Sequence, residues 1–289
     1  METFRTLLFV PGSKPNWFAK IKNYGADAII LDLEDSVPFA KKEEARHDVA
    51  RAIRDLDQQG QKVFVRINKG MHAFDISDLE AVIQRELTGL VLPKVDGPED
   101  IDQISEKISE IEAKRGIEVG SVKLIPILET ARSMYLAYEI GLKKRVIGIT
   151  GLSAKDGDVS RALGFQWTPQ GLETLYLKSK VVLAARAARV MPIGGLWQDV
   201  HNLEGLKESA SFNRQLGFDG ELILHPSNVP VVNDIYTPSE EEIIYYQGMV
   251  KMFEKAVKDG IGAVVYKGEH IDYAHVKTAK QVLALTRKI

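Results

Sequence analysis

The chain has 289 residues, 45% of them hydrophobic, enough to bury a large core as one α/β barrel or as two ordinary domains. Its formal net charge of -2 and pI near 6.3 leave no basic surplus for nucleic acid and no acidic block for a disordered tail. It has no cysteine, which excludes disulfides, thiolate zinc sites and cysteine nucleophiles. No apolar run approaches the roughly 20 residues of a membrane span, and Met1-Glu-Thr-Phe-Arg5 lacks the basic-then-apolar layout of a secretory leader. The expectation is a cytoplasmic, soluble protein that works on small molecules, with no nucleic-acid or membrane partner.

Arg5-Thr-Leu-Leu-Phe-Val10 is a short apolar run closed by Pro11-Gly12-Ser13, which predicts a buried strand and turn, with a helix over Asn16 to Asn23. Gly12-Ser13-Lys14 is no phosphate loop, because Pro15 follows the lysine. Gly25 to Asp32 predicts a second buried strand running into Asp32-Leu33-Glu34-Asp35, with a helix over Lys41 to Arg54. The clustered carboxylates either favour the start of that helix or are held by a cation or by arginines, since like charges this close otherwise raise one another's pKa.

Lys62 to Asn68 is a third strand with Arg66 near its end, either a structural partner of the Asp32–Asp35 cluster or a bidentate clamp for a substrate carboxylate. A helix over Asp78 to Glu86, a fourth strand over Gly89 to Lys94 and a helix over Ile101 to Lys114 follow. On spacing alone Lys94 reads as a solvated loop lysine, the alternative being a place beside the acidic cluster. Lys123 to Leu128 is strand five and delivers Glu129-Thr130-Ala131-Arg132, with a helix over Met134 to Leu142. Arg145 to Thr150 is strand six, followed by Gly151-Leu-Ser-Ala-Lys-Asp156-Gly157-Asp158. A helix over Glu173 to Val190, a strand over Met191 to Gly195, a helix over Asn202 to Leu216 and a strand over Phe218 to Leu224 complete the series.

Eight alternations of strand and helix, with polar residues at nearly every strand end, predict a (β/α)8 TIM barrel over residues 1–235 rather than an open doubly wound sheet. The remainder, 236–289, is a C-terminal helical arm or lid: a helix over Glu240 to Gly260 capped by Thr237-Pro-Ser239, a hairpin-like turn over Ile261 to Tyr273, and a helix over His275 to Lys288.

The strand-end candidates are Asp32, Glu34, Arg66, Lys94, Glu129 and Asp158. Glu129 and Asp158 follow adjacent strands, so in a barrel their carboxylates lie close together. With no cysteine and no histidine pair at ligand spacing, a hard oxygen-bound cation such as magnesium is the metal the residues support. The alternative is that Glu129 merely pairs with Arg132 or Arg66. His225 reads as a loop hydrogen-bonder, and no Ser/His/Asp arrangement or nucleophile elbow is present.

The runs Leu8-Phe-Val-Pro-Gly12, Asp32-Leu-Glu-Asp35, Val65-Arg-Ile-Asn68, Leu92-Pro-Lys94, Ile127-Leu-Glu-Thr-Ala131, Gly157-Asp158 with Leu163-Gly164, Gly217-Phe-Asp-Gly220, Leu224-His-Pro226 and Ile271-Asp272 stand in this order along nearly the whole chain. The ordered set resembles the citrate lyase β-subunit family, with its malyl-CoA and citramalyl-CoA lyases, related to the HpcH/HpaI aldolases. The resemblance implies a barrel with a C-terminal arm, a homotrimer, and magnesium-dependent cleavage of a 3-hydroxyacyl thioester. It implies that Glu129 and Asp158 ligate magnesium and that Arg66 holds the substrate carboxylate, with Pro11 and Gly12 also at the substrate. Asp32, Glu34, Asp35 and Lys94 then stand behind these groups, ordering metal waters and Arg66. Asp272, otherwise an ordinary turn aspartate, becomes an acid/base that reaches a neighbouring subunit's site.

Two departures bear on the substrate. The turn after strand six is longer than the family's Gly-Ala-Glu-Asp-Leu, which makes Asp156 a rival ligand, and Gly194 stands where the family often has an aspartate after the strand-seven isoleucine. The expected reaction is cleavage of a malyl-, citramalyl- or citryl-type thioester of coenzyme A or an acyl carrier protein, giving an α-keto acid and an acyl thioester. The alternatives are a thioester hydrolase or malate-synthase-like enzyme on the same site, and a non-catalytic subunit of a larger lyase.

Overall fold

The structure is a computed structural model and describes residues 3–151, 154–168 and 170–285. It divides into two compact units, 1–233 and 234–289, close to the boundary expected at 235.

The first unit is a closed barrel of parallel strands in sequence order: β1 (Thr6–Pro11), β2 (Ala28–Asp32), β3 (Lys62–Arg66), β4 (Gly89–Val95), β5 (Lys123–Leu128), β6 (Gly148–Thr150), β7 (Met191–Gly194) and β8 (Gly220–Ile223), with β8 returning to pair with β1. The strands are short, apolar and buried, as both-sided burial in a parallel barrel requires. Leu7, Ala28, Phe64, Val91, Ile125 and Met191 belong to one packed cluster inside it. Closure demands a glycine at 220, because a Cβ there would stand 1.9 Å from the Phe4 carbonyl oxygen.

The helices are α1 (Pro15–Phe18), α2 (Lys42–Asp57), α3 (Ile76–Val82), α4 (Pro98–Lys114), α5 (Ala131–Tyr135), α6 (Ala137–Gly141), α7 (Asp158–Leu163), α8 (Leu172–Ala188), α9 (Leu203–Leu216) and α10 (Val229–Tyr236). α2 shows the logic: Ala45, Val49, Ala52, Ile53 and Leu56 form its buried stripe, with Glu43 and Glu44 in the first turn and Arg54 in the last, matching the helix dipole.

Several element bounds differ from expectation for local reasons. The helix expected over 16–23 is a short α1 plus a 3-10 turn at Ile21–Asn23, since only Ile21 in these pieces is buried and no apolar face sustains a longer helix. The helix expected from Asp78 starts at Ile76, because Asp75 accepts hydrogen bonds from the Ser77 and Asp78 N–H groups, and it stops at Val82 where Ile83 turns extended. The helix expected over 134–142 is split into α5 and α6 at Leu136.

The second unit holds α11 (Glu240–Lys258), an antiparallel hairpin of β9 (Ala263–Tyr266) and β10 (Glu269–Asp272), and α12 (Tyr273–Leu285). Ser239 and Glu242 form a reciprocal capping box on α11. Met249, Phe253, Ile271, Val276 and Ala279 make its core. The end expected for the last helix at Lys288 lies outside the described residues.

No described helix is long and apolar enough to cross a membrane.

Candidate functional site

Chemistry gathers where the strands end. Register places Pro11 beside Asp32 and Asp32 beside Arg66. Arg66 meets Asp32 with two parallel hydrogen bonds, Nε to Oδ1 at 2.7 Å and Nη2 to Oδ2 at 2.8 Å, while Nη1 lies 3.1 Å from Glu34 Oε2 and the guanidinium covers the Phe9 ring at 4.8 Å. Asp32 also accepts from the Glu34 N–H at 3.0 Å and the Ser36 N–H at 3.1 Å. Burial works against its charge, but Arg66 and these donors outweigh it and hold the carboxyl below the ordinary aspartate range. Of the two roles open to Arg66 on sequence, partnership with the acidic cluster is plain, and it leaves the second hydrogens of Nη1 and Nη2 for a ligand.

Glu34 lies buried between two cations: one oxygen takes the Lys94 ammonium in a short contact, and Oε2 is a buried atom without an aligned donor despite its closeness to Arg66. Burial pushes the Glu34 carboxyl up more than Arg66 and Lys94 pull it down. Burial likewise opposes the Lys94 ammonium, yet Glu34 holds it above its usual value. Lys94 is therefore not the freely solvated lysine that spacing suggested. Asp35 is more open, 64% exposed at its side chain and 3.6 Å from the Lys94 ammonium.

Glu129 follows β5 and is 7% exposed. Its Oε2 accepts the Lys94 N–H at 2.9 Å. Burial is the main reason its carboxyl is pushed up to about 7, and the charges of Glu34 and Asp158 add to it, against the Lys94 N–H and Arg66. The pairing with Arg132 does not form; that guanidinium meets Glu99 and Asp96 instead. Thr130 and Ser133 make a capping box that fixes the start of α5 immediately after Glu129.

Asp158 is the first residue of α7, half-buried and paired with Arg161, whose Nη1 also donates to the Asp156 carbonyl at 3.0 Å. Asp156 is exposed at φ 55°. In the lengthened turn, Leu152 and Ser153 lie outside the described residues. Gly12 is required for close packing, since a Cβ there would sit 2.7 Å from the Asp32 carbonyl oxygen, and its N–H donates to that oxygen at 2.8 Å.

Sequence reading missed Lys42, Asn68 and Lys69. The Lys42 ammonium donates to the Leu33 and Glu34 carbonyls at 2.7 and 2.8 Å and to Asn68 Oδ1 at 2.6 Å, locking the backbone under the acidic cluster. Its setting in Lys41-Lys-Glu-Glu looks like an ordinary exposed helix start. His225 is a loop hydrogen-bonder as expected, its Nδ1 2.7 Å from Ser227 Oγ.

In the second unit, Asp272 ends β10 and caps α12: its Oδ1 accepts the Ala274 N–H at 2.9 Å and lies 2.7 Å from His275 Nδ1. The His275 hydrogen bond and these amides hold the Asp272 carboxyl below its usual range. The cap explains why α12 starts at Tyr273 rather than at His275. Among the described residues, no three His, Cys, Asp or Glu converge as a complete metal-binding group.

Residues 5–226 match the HpcH/HpaI aldolase/citrate lyase family. The citrate lyase subunit beta of Escherichia coli K12 is 32% identical over 98% of this chain and 93% of its own length. A (3S)-malyl-CoA thioesterase of Cereibacter sphaeroides is 29% identical over 99% and 95%. Among solved structures, CitE of Mycobacterium tuberculosis in complex with magnesium, acetoacetate and coenzyme A aligns with a TM-score of 0.75 at 28% identity, covering 98% of this chain and 97% of that one. The citrate lyase beta subunit of the same organism, complexed with oxaloacetate and magnesium, aligns with a TM-score of 0.66 at 29% identity over 82% and 98%. The barrel, its ordered strand-end motifs and these matches lead to one conclusion: the chain belongs to the HpcH/HpaI aldolase/citrate lyase family, and it is an enzyme of the lyase class.

Proposed function

We propose that this lyase is magnesium-dependent and cleaves a 3-hydroxy-3-carboxyacyl thioester of the malyl, citramalyl or citryl type into an α-keto acid and an acyl thioester. The observation that carries the reading is the charge arrangement around Glu129: a buried carboxylate that feels Asp158 and Glu34 on one side and Arg66 on the other. Such a mouth lacks positive charge where its carboxylates face one another and offers only hard oxygen donors, which suits magnesium held by one or two carboxylates with water and substrate oxygens. Glu129 and Asp158 are the proposed ligands, with Asp156 as the rival to Asp158.

Magnesium, when bound, supplies a Lewis-acidic centre for the substrate's hydroxyl and adjacent carboxylate oxygens. Arg66, held rigid by Asp32, orients that carboxylate through its remaining N–H groups. Pro11 and Gly12 border the substrate. Glu34, Asp35 and Lys94 order the surrounding polar groups. Breaking the bond between the thioester α-carbon and the hydroxyl-bearing carbon leaves an electron pair on the α-carbon, which Asp272 protonates in cleavage and deprotonates in condensation. Asp272 acts from the 236–289 arm on a neighbouring copy in a homotrimer.

The coenzyme A named with the Mycobacterium tuberculosis structure supports coenzyme A as the carrier. The malyl-CoA thioesterase relatives support a second reading, hydrolysis of the thioester on the same site. The test is to incubate the protein with magnesium and each thioester and to follow α-keto acid and free thiol together. Keto acid without thiol supports the lyase reading, thiol without keto acid supports hydrolysis, and neither product with any thioester supports a non-catalytic subunit.

A further inference from the structure

Lys94 lies in the left-handed region at φ 52°, at an irregularity in the β4–β5 register between Leu92 and Val95. In this conformation its N–H reaches Glu129 Oε2 at 2.9 Å while its ammonium reaches Glu34. Residues with a Cβ rarely occupy this region unless their surroundings hold them there. What holds Lys94 is Lys69. The Lys69 side chain is 8% exposed, and its ammonium donates to the Lys94 carbonyl at 2.8 Å and to Asp100 Oδ2 at 2.7 Å. The same Asp100 oxygen accepts the Asp96 N–H at 2.7 Å, so one carboxylate fastens both the ammonium and the turn leaving β4. The loop after β3 folds over this contact: Lys69 bridges to Phe74, whose ring lies 5.4 Å from the ammonium, and the Gly70 N–H donates to the Ala73 carbonyl at 2.8 Å.

We propose that Lys69 is a positioning residue for the carboxylate site: by gripping the Lys94 carbonyl it keeps Lys94 left-handed, and so keeps the Lys94 N–H on Glu129. The inference rests on the proposed magnesium site for its consequence, since a hydrogen bond to a ligating carboxylate fixes the orientation in which it meets the ion.

The test is a double-mutant cycle read by magnesium titration calorimetry. Lys69→Met is expected to weaken magnesium binding about tenfold, in the range found when groups supporting metal ligands are removed. In a Lys94→Gly background, where glycine adopts positive φ unaided, the same substitution is expected to change binding less than twofold. Equal losses in both backgrounds, or no loss in the wild-type background, overturn the proposal. If Lys69→Met does not fold, Asp100→Asn, which loosens the Lys69 ammonium, takes its place in the cycle with the same expectation. A wild type that binds no magnesium overturns the metal reading, and crystal structures then decide the latch separately. Lys94 leaving positive φ in Lys69→Met supports it, and Lys94 unchanged on Glu129 overturns it.

Discussion

Arg66 and Asp32, neighbours in register on β3 and β2, are joined by two parallel hydrogen bonds of 2.7 and 2.8 Å with Asp32 only 1% exposed. The pair makes the mouth of the barrel rigid at the point where a substrate carboxylate would be gripped. Removing one partner strands the other charge in a buried place. Asp32→Ala is therefore expected to cost about 3–5 kcal/mol of stability in urea unfolding.

Arg66→Lys keeps the charge but loses the fork. The expected result is a fall in kcat/KM of about 100-fold, with magnesium binding changed much less, because the lost contact is to the substrate carboxylate. Steady-state kinetics beside magnesium calorimetry check it. A variant with unchanged kcat/KM would leave Arg66 a purely structural partner of Asp32.

Glu129→Gln removes one proposed ligand together with a buried charge that Glu34 and Asp158 repel. The magnesium-induced rise in melting temperature is expected to vanish. In EDTA at neutral pH the variant is expected to melt no lower than the wild type, since it sheds like-charge repulsion. Thermal denaturation with and without magnesium reads both outcomes.

Asp272→Asn preserves the cap on α12, because asparagine caps a helix about as well as aspartate, but it removes the proton-carrying group. Turnover is expected to fall at least about 100-fold with thioester binding retained, in line with the loss of a general acid or base. Full activity in this variant would remove Asp272 from the proposed mechanism.

Glu112 and Arg145 form a buried ion pair away from the site, with Arg145 Nη2 at 2.6 Å and the Gly120 and Val122 N–H groups at 2.8 and 2.9 Å on the same carboxylate. Burial opposes the Glu112 charge, but Arg145 and the amides outweigh it and hold its carboxyl below the ordinary range. The resulting stability is present above the unfolded value of about 4.3 and is lost as pH falls through the lower folded value. Glu112→Gln is expected to cost about 3 kcal/mol or more near pH 7, with the difference from wild type shrinking progressively below pH 4 and magnesium binding unaffected.

The sequence by itself determined the barrel, because a parallel strand buried on both faces must be a short apolar run, and such runs alternate with amphipathic helices from Thr6 to Ile223. It also identified the strand-end residues Asp32, Arg66, Glu129 and Asp158 as candidates, since a polar residue closing such a run lies at the mouth. Only the tertiary structure decided who pairs with whom. Arg132 turned to Glu99 and Asp96 instead of Glu129, and Lys94 bent back onto both Glu34 and Glu129. Lys42 and Lys69, plain lysines in their local sequence, proved to hold the backbone beneath the acidic residues. Strand patterns carry burial and direction along the chain. Contacts between side chains on different strands depend on register and closure, which no local pattern encodes.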